Sequence, residues 1–255
     1  MLPNNFRLIT IPVSHYSEKA RWALDYLEVP YREMAHMPPF HRNATKKYGG
    51  RSVPVLVTDT GAATDSTDIL RYLDRLYPEK LYPIDPNLQV LTLELENLFN
   101  LTLGVHIRRW GYSYILSPQL IYPRWTLGVP FWEKLLFPAI FPRVGKIVRS
   151  TYNVTDTSGT ESYREIEIVF DRVDGLLADG RKYLLGDKFS AIDITFAALA
   201  APIIQPPEHY IKPAALTSLP TQMQSDISNA QATPAGKFGL RMYQEYRHHK
   251  MRSRS

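Results

Sequence analysis

The sequence predicts a small α/β domain with a mixed sheet, followed by a larger all-α domain. Short β-branched runs alternate with helical patterns at the start of the chain, whereas only helical periodicity follows. Of the 255 residues, 44% are hydrophobic and 22% are charged, which is enough apolar material for a full core. We therefore divide the chain into residues 1–80, a linker at 81–87 and a helical domain at 88–255.

The first domain is predicted to contain four strands and three helices. The strands are expected at 6–13, 31–37, 53–57 and 62–64, and the helices are expected to open at Ser17, His41 and Ser66. Pro30 and Pro78 end the first and third helices. Pro54 cannot donate a hydrogen bond to a sheet, and a cis Val53–Pro54 bond is one way to accommodate it.

Helical spacing of apolar residues continues through the second domain. A long amphipathic helix starts at Leu88 and extends to Trp110 or beyond, and a second covers 162–177. Ser190 and Asp193 form a capping box that opens an apolar helix ending near residue 204. Further helices are expected at 221–232 and 234–248.

The composition excludes several chemistries. The chain has no cysteine, so it has no disulfide framework, thiolate metal site, iron–sulfur cluster or thiol nucleophile of its own. No histidine or carboxylate cluster has ligand-like spacing, and phosphate-binding glycine loops are absent, so we expect neither a metal nor a nucleic-acid ligand. If this protein handles sulfur, a ligand must supply it.

The chain is expected to be soluble and cytoplasmic. Its N-terminus lacks the pattern of a signal peptide, and charges and prolines interrupt its most apolar stretch, 127–141. That stretch is interpreted as buried or interfacial helix and loop, and we expect no stable membrane insertion. The net charge of +5 arises largely from a basic C-terminal tail that includes Arg241, Arg247 and Lys250. A solvated, frayed end is the preferred interpretation of this tail, and a partner-binding arm is the alternative.

Four motifs occur in a fixed order along the chain. They are Ser14-His15-Tyr16-Ser17 after the first strand, Val53–Pro54 before the third, Asp65–Ser66 at the third helix, and a Gly-Asp…Ser-x-x-Asp pattern at 186–193. With these motifs, the chain resembles the cytosolic glutathione transferases over 6–77 and 165–204. The resemblance implies the glutathione S-transferase fold, in which a thioredoxin-like domain precedes an α-helical bundle.

Ser14 is the candidate catalytic residue. It lies between the first strand and the first helix, where a helix N-terminus favours an anion. The resemblance to serine-type members implies that its hydroxyl donates to the sulfur of glutathione. A free thiol has a pKa of about 8.5, so this hydrogen bond would favour the reactive thiolate. Ser17 is a second candidate or a helix N-cap, and Tyr16 is a third candidate. Cysteine-type relatives carry two cysteines at this turn; here both positions, Ser14 and Ser17, are serine, so cysteine-type chemistry is contradicted.

The resemblance also implies anchors for the rest of glutathione, the expected co-substrate. Val53, before the cis Pro54, would pair through its backbone with the cysteinyl part. Asp65 and Ser66 would hold the γ-glutamyl end, although glutamate or glutamine is more usual at the first of these positions. Arg51 would meet the glycyl carboxylate.

The second substrate is expected to be a small hydrophobic electrophile in a cleft between the domains. Aromatic residues are dense between Trp110 and Trp132; core or dimer contact is the preferred interpretation, and a substrate wall is the alternative. Arg108 and Arg109 either face this site or are solvated helix charges, and the second interpretation is preferred. The segment 104–162 is longer than is usual in the family and is where specificity would be set.

The sequence thus predicts a serine-type glutathione transferase that conjugates or reduces an electrophile, possessing peroxidase, isomerase or dehalogenase activity according to that electrophile. A non-catalytic ligand-binding or protein-interaction module with the same fold is the alternative. The resemblance also implies a homodimer.

Overall fold

A four-stranded mixed sheet forms the centre of the N-terminal domain in the computed structural model, which describes residues 5–247. The strands are β1 (Phe6–Thr10), β2 (Tyr31–Ala35), β3 (Val55–Thr58) and β4 (Gly61–Ala63). Their order is β2-β1-β3-β4, with β1 parallel to β2 and the other two pairs antiparallel. The predicted mixed sheet is confirmed.

Eleven helices are present in the described residues. They are α1 (His15–Tyr26), α2 (His41–Lys46), α3 (Ser66–Leu76), α4 (Pro86–Leu98), α5 (Gly104–Ile115), α6 (Pro118–Trp125), α7 (Phe131–Thr151), α8 (Ser158–Leu177), α9 (Ala191–Ile204), α10 (Thr221–Ala232) and α11 (Pro234–Tyr246). Helices α1 to α3 belong to the N-terminal domain, and α4 to α11 form the predicted all-α region.

Hydrogen bonding explains why the strands differ from the predicted ranges. β1 ends at Thr10 and β2 ends at Ala35, so each is shorter than expected. The N–H of Met37 donates to the carboxylate of Glu133, 2.8 Å away, instead of extending the sheet. The last residue of the segment that was predicted to be β2 is therefore hydrogen-bonded to α7 and not to the sheet.

The Val53–Pro54 bond is cis, as predicted. β3 begins at Val55 because Pro54 has no N–H for the ladder. Thr58 pairs with Gly61, so β4 starts one residue before its predicted range.

Two helix caps lie elsewhere than predicted. Helix α1 begins at His15 rather than Ser17, because Ser14 has extended backbone angles and its side chain accepts the N–H of Ser17. In the same way Asp65, rather than Ser66, caps α3. Ser17 is therefore a buried residue within the first turn of α1 and not its cap.

The linker is shorter than predicted, since α4 begins at Pro86 with Asp85 as its cap. Proline is well suited to a first helical position because its missing N–H is not needed there. The predicted long helix is confirmed: α4 continues through a π-helical turn, Phe99–Leu103, into α5. The linker also contacts the helical domain, where the Leu81 carbonyl accepts the N–H of Ala191.

Helix α9 is buried on almost every side and forms the centre of the helical domain. The predicted capping box is confirmed, because the Ser190 side chain accepts the N–H of Ile192 and Asp193 accepts the N–H of Ser190. Helices α1, α5, α10 and α11 pack around α9. The two domains therefore share one continuous core.

The apolar stretch at 127–141, predicted to be buried or interfacial helix and loop, is partly exposed. Most of it lies in α7, where Phe131 and Leu135 are 78% and 70% exposed. Phe137 and Val144 on the opposite face join a second small core with Trp125 of α6. Among the described residues, no helix combines the length and apolar character needed to cross a membrane.

Arg247 does not belong to a solvated tail, which corrects the prediction for this residue. Its side chain is buried and donates to the carboxylates of Glu18 and Asp25, each at 2.7 Å. Burial raises the pKa of Glu18, but the charges of Arg247 and Arg21 more than offset it, so that the pKa is below its usual range. The remaining basic residues after position 247 lie outside the described residues.

We expect Arg247→Met to lower the free energy of unfolding by about 3–5 kcal/mol, because it leaves Glu18 buried without its main partner. Arg172→Met is the matched control. Its ion pair with Glu94 is about half exposed and should contribute less than about 1 kcal/mol. Urea unfolding of both variants tests this, and equal losses would contradict it.

Candidate active site

Ser14 lies at the N-terminus of α1, on the wall of a cavity between the two domains. Its Oγ accepts the N–H of Ser17 at 3.2 Å, which leaves the hydroxyl proton free to donate to another group. The start of a helix also leaves its first N–H groups without helical partners. This end of α1 can therefore hold an anion.

His15 joins this helix end to the helical domain. Its Nε2 lies 3.0 Å from the carbonyl oxygen of Gly104, which can only accept, so Nε2 carries the proton. Burial, together with the charge of Arg108, lowers the pKa of His15 to about 3. The imidazole is thus neutral at physiological pH and holds the position of α1 without acting as a titrating base.

Tyr16 and Lys19 bind the π-helical turn. The Tyr16 hydroxyl donates to the Asn100 carbonyl at 2.6 Å, and burial raises the pKa of Tyr16. A π turn displaces such carbonyls from the regular ladder, and it often occurs at functional sites. Because the Tyr16 hydroxyl already donates to this carbonyl, its proton is not directed at a ligand thiol.

Lys19 of α1 is fully buried, and its ammonium group lies beside the first turn of α3. Its Nζ donates to Thr67 Oγ1 at 2.9 Å and to Asn100 Oδ1 at 3.2 Å. Burial lowers the pKa of Lys19 to about 8, although the charges of Glu96 and Asp65 oppose this shift. Lys19 therefore links the first and third helices of the N-terminal domain to the long helix of the second.

The other predicted anchors surround Ser14 unequally. Val53 lies on the wall of the same cavity as Ser14. Asp65 is exposed at the start of α3 and accepts the Thr67 N–H at 2.7 Å, and Ser66 beside it is buried. Arg51 is exposed. Within the described residues 5–247, neither Arg51 nor Pro54 lines the cavity.

The cavity has a volume of about 200 Å³ and opens to solvent. Both domains contribute to its wall, with Ser14 and Val53 from the first and α5, α6 and the loop after α9 from the second. An apolar cavity of about 150 Å³ is enough for benzene. This cavity is therefore large enough for a ring system next to the end of α1.

Arg108 faces the cavity, which corrects its interpretation as a solvated helix charge. Its guanidinium carbon lies 4.4 Å from the ring centre of Tyr152 and 5.5 Å from that of Tyr16. Arg109 points away and forms an ion pair with Glu161 at 2.9 Å. Helical periodicity explains the difference, because adjacent residues lie about 100° apart around the helix axis.

The aromatic segment divides among three roles. Trp110, Tyr112 and Trp125 line the cavity. Tyr114 donates to Asp226 in the core at 3.2 Å. The rest of this set is exposed or partly exposed: Tyr122, Phe131 and Trp132. Trp110 and Trp125 are also buried in the two cores, so the preferred interpretation as core holds for them, and their rings in addition form a wall of the cavity.

Sequence reasoning also missed His209, which lines the cavity from the loop after α9. Nothing in the sequence indicates this, because the loop has no periodicity and its path depends on packing. His15 is adjacent to Ser14 and was identifiable by position alone. Within residues 5–247, no three histidine or acidic side chains converge closely enough to hold a metal ion.

The order of elements and the position of the cis bond define a thioredoxin-like domain joined to a helical bundle. Residues 8–81 match the family model described as glutathione S-transferase, N-terminal domain. This match covers the N-terminal domain and does not include the helical region. No curated protein matches the chain at a significant level.

Solved structures show that the likeness extends over the helical region. A glutathione transferase of Phanerochaete chrysosporium is 14% identical with a TM-score of 0.65, covering 98% of this chain and 100% of its own. A glutathione S-transferase of Ceriporiopsis subvermispora, in complex with glutathione, is 19% identical with a TM-score of 0.64, covering 96% and 98%. The beta-etherase of Sphingobium sp. strain SYK-6 is 18% identical with a TM-score of 0.61, covering 92% and 98%. The predicted glutathione S-transferase fold is confirmed, while the serine-type subclass stays a prediction.

The neutral His15 predicts a pH dependence of stability. The unfolded chain protonates this residue below about pH 6.5, whereas the folded chain, with a pKa of about 3, does not. The unfolded state then binds more protons, so stability falls as the pH decreases from 7 to 5, by about 2 kcal/mol for this residue. His15→Gln should reduce the loss between these pH values by that amount in urea unfolding. An unchanged loss would contradict the buried neutral imidazole.

Proposed function

We propose that this protein is a glutathione transferase in which Ser14 activates the thiol of glutathione for attack on a small electrophile. The position of Ser14 carries this proposal, since its hydroxyl proton is free and its Oγ lies at a helix N-terminus on the wall of a substrate-sized cavity. Neighbours in complex with glutathione, such as the Ceriporiopsis enzyme, support the choice of co-substrate.

The energetic requirement on Ser14 is modest. Each unit by which the thiol pKa falls needs about 1.4 kcal/mol of preferential binding to the thiolate. A hydrogen bond to a charged acceptor contributes roughly 1.5–3 kcal/mol, and the end of a helix adds up to about 1 kcal/mol. Together they are sufficient to lower a thiol pKa from about 8.5 to below neutrality. The reacting base is then the sulfur of glutathione itself, and no cysteine of the protein is needed.

The other anchors follow the same proposal. The backbone of Val53, before the cis Pro54, pairs with the cysteinyl part, since Val53 lies on the same cavity wall as Ser14. Asp65 and Ser66 receive the γ-glutamyl end at the start of α3, where the charge of Asp65 also reaches Lys19. Arg51, which is exposed, turns toward the glycyl carboxylate once glutathione is bound.

We expect Ser14→Ala to retain glutathione binding within about threefold but to lose the thiolate absorption band at pH 7 and lower kcat/KM by about 10²-fold. Ser17→Ala is the matched control, because the buried Ser17 hydroxyl finds no partner within residues 5–247. Calorimetry with glutathione and ultraviolet difference spectra measure both effects. If Ser17→Ala loses the band and Ser14→Ala keeps it, the assignment to Ser14 is wrong. If wild type does not bind glutathione at millimolar concentration, the proposed function is wrong and the alternative, a non-catalytic module with the same fold, is favoured.

A homodimer forms part of the proposal. Exposed apolar side chains recur along one side of the continuous α4–α5 helix, including Leu93, Leu101 and Val105 at 52%, 70% and 39% exposure. Positions four apart share one helix face, so Leu101 and Val105 are neighbours there. A second copy of the chain would cover this stripe.

Leu101→Glu should therefore convert a dimer into a monomer, because it places a charge in an apolar contact. Leu135→Glu on the exposed face of α7 is the matched control and should leave the oligomeric state unchanged. Light scattering coupled to size-exclusion chromatography gives the molecular mass of each variant. A wild type that is already monomeric would refute the dimer without affecting the assignment of Ser14.

A further inference from the structure

The wall of the cavity carries positive charge that acidic side chains do not neutralise. Arg108, Arg124 and Lys212 all line it, and no aspartate or glutamate does so in the described part of the chain. Arg124 donates to the Leu120 carbonyl and Lys212 to the Pro207 carbonyl, both neutral partners. Within residues 5–247, none of the three cations forms an ion pair with a carboxylate. A concave, partly apolar site with one sign of charge attracts ligands of the other sign.

Arg108 is the cation nearest the end of α1 that carries Ser14. Its charge contributes to the low pKa of the neighbouring His15. Two tyrosine rings, Tyr16 and Tyr152, flank the guanidinium, and its Nη1 lies 3.4 Å from the Tyr152 hydroxyl. Its Nε is buried and has no hydrogen-bond partner among the described residues. The guanidinium is thus held in place with a donor still available for an incoming anion.

An aromatic wall extends from this guanidinium. The rings of Tyr152 and Tyr112 lie 5.6 Å apart, and those of Tyr112 and Trp125 lie 6.5 Å apart. The Trp125 Nε1, a donor only, is also buried without a partner in the described part of the chain. Planar apolar surface and unused donors therefore occur side by side in a cavity of about 200 Å³.

We propose that this cavity binds, as the electrophilic co-substrate, aromatic carboxylates of one or two rings that carry a displaceable halide, with the carboxylate on Arg108 and the ring on the wall formed by Tyr112, Tyr152 and Trp125. The thiolate of glutathione then forms the new carbon–sulfur bond as the carbon–halogen bond breaks, and the halide leaves with the bonding electron pair. The inference rests on the proposed function, because it names the substrate class of the same site. Glutathione does not account for Arg108, since all the anchors proposed for glutathione lie in the N-terminal domain whereas Arg108 belongs to α5.

Calorimetry with 2-naphthoate and 2-naphthamide tests the proposal, since the two molecules have the same rings and nearly the same size but differ in charge. Wild type should bind the acid at least tenfold more tightly than the amide, both without glutathione and at saturating glutathione. Arg108→Gln should abolish this preference, and Arg108→Lys should retain part of it. Arg109→Gln is the matched control, because its side chain is paired with Glu161 outside the cavity.

Equal affinity of wild type for acid and amide would overturn the proposal, and this result does not depend on whether any variant folds. A preference lost equally in Arg109→Gln would also overturn it. One-for-one competition between naphthoate and glutathione would assign Arg108 to glutathione instead. If wild type prefers the acid but fails to bind glutathione, the proposed function fails while the anion preference of the cavity stands.

Discussion

The position of helix α1 is the constraint on which the candidate site depends. Its first turn carries Ser14 and the free amides, and the next residues donate buried hydrogen bonds to the second domain through His15 and Tyr16. One turn further along α1, the Glu18 carboxylate accepts a hydrogen bond from Arg247, the residue that follows α11. Buried polar groups are expensive unless paired, so each contact allows one arrangement of the two domains. The serine is thereby held against the cavity by contacts that themselves have no part in thiol chemistry.

The two domains contribute different chemistry to one cavity. The N-terminal domain contributes a helix end, a serine and a backbone bent by the cis Pro54, which together suit a thiolate. The helical domain contributes cations and aromatic rings from α5, α6 and the loop after α9. Helices α6 and α7 lie within the long segment 104–162 and share a small core of their own, which also includes Met37.

The fold was predictable because it depends on local signals. The cis Val53–Pro54 bond, the capping box at Ser190 and the long helix from α4 into α5 each follow from residues close together in the chain. Two of the errors concern partners far apart in sequence. Met37 leaves the sheet because Glu133 binds its N–H, and Arg247 is buried because Glu18 needs a counter-charge. Neither partner is visible in a local pattern.

The sequence by itself determined the domain order, the absence of protein thiol chemistry, the position of Ser14 between the first strand and the first helix, and the turn at Val53–Pro54. Composition and short-range spacing carry these features, since they reflect backbone preferences of a few adjacent residues. The tertiary structure alone decided that Arg108 faces the cavity while Arg109 pairs with Glu161, that the Tyr16 hydroxyl donates to the Asn100 carbonyl, and that His209 joins the cavity wall. These outcomes depend on which face each helix turns toward its neighbours when the helices pack against one another. Because those neighbours are distant in the sequence, the residues adjacent to a position do not determine that face.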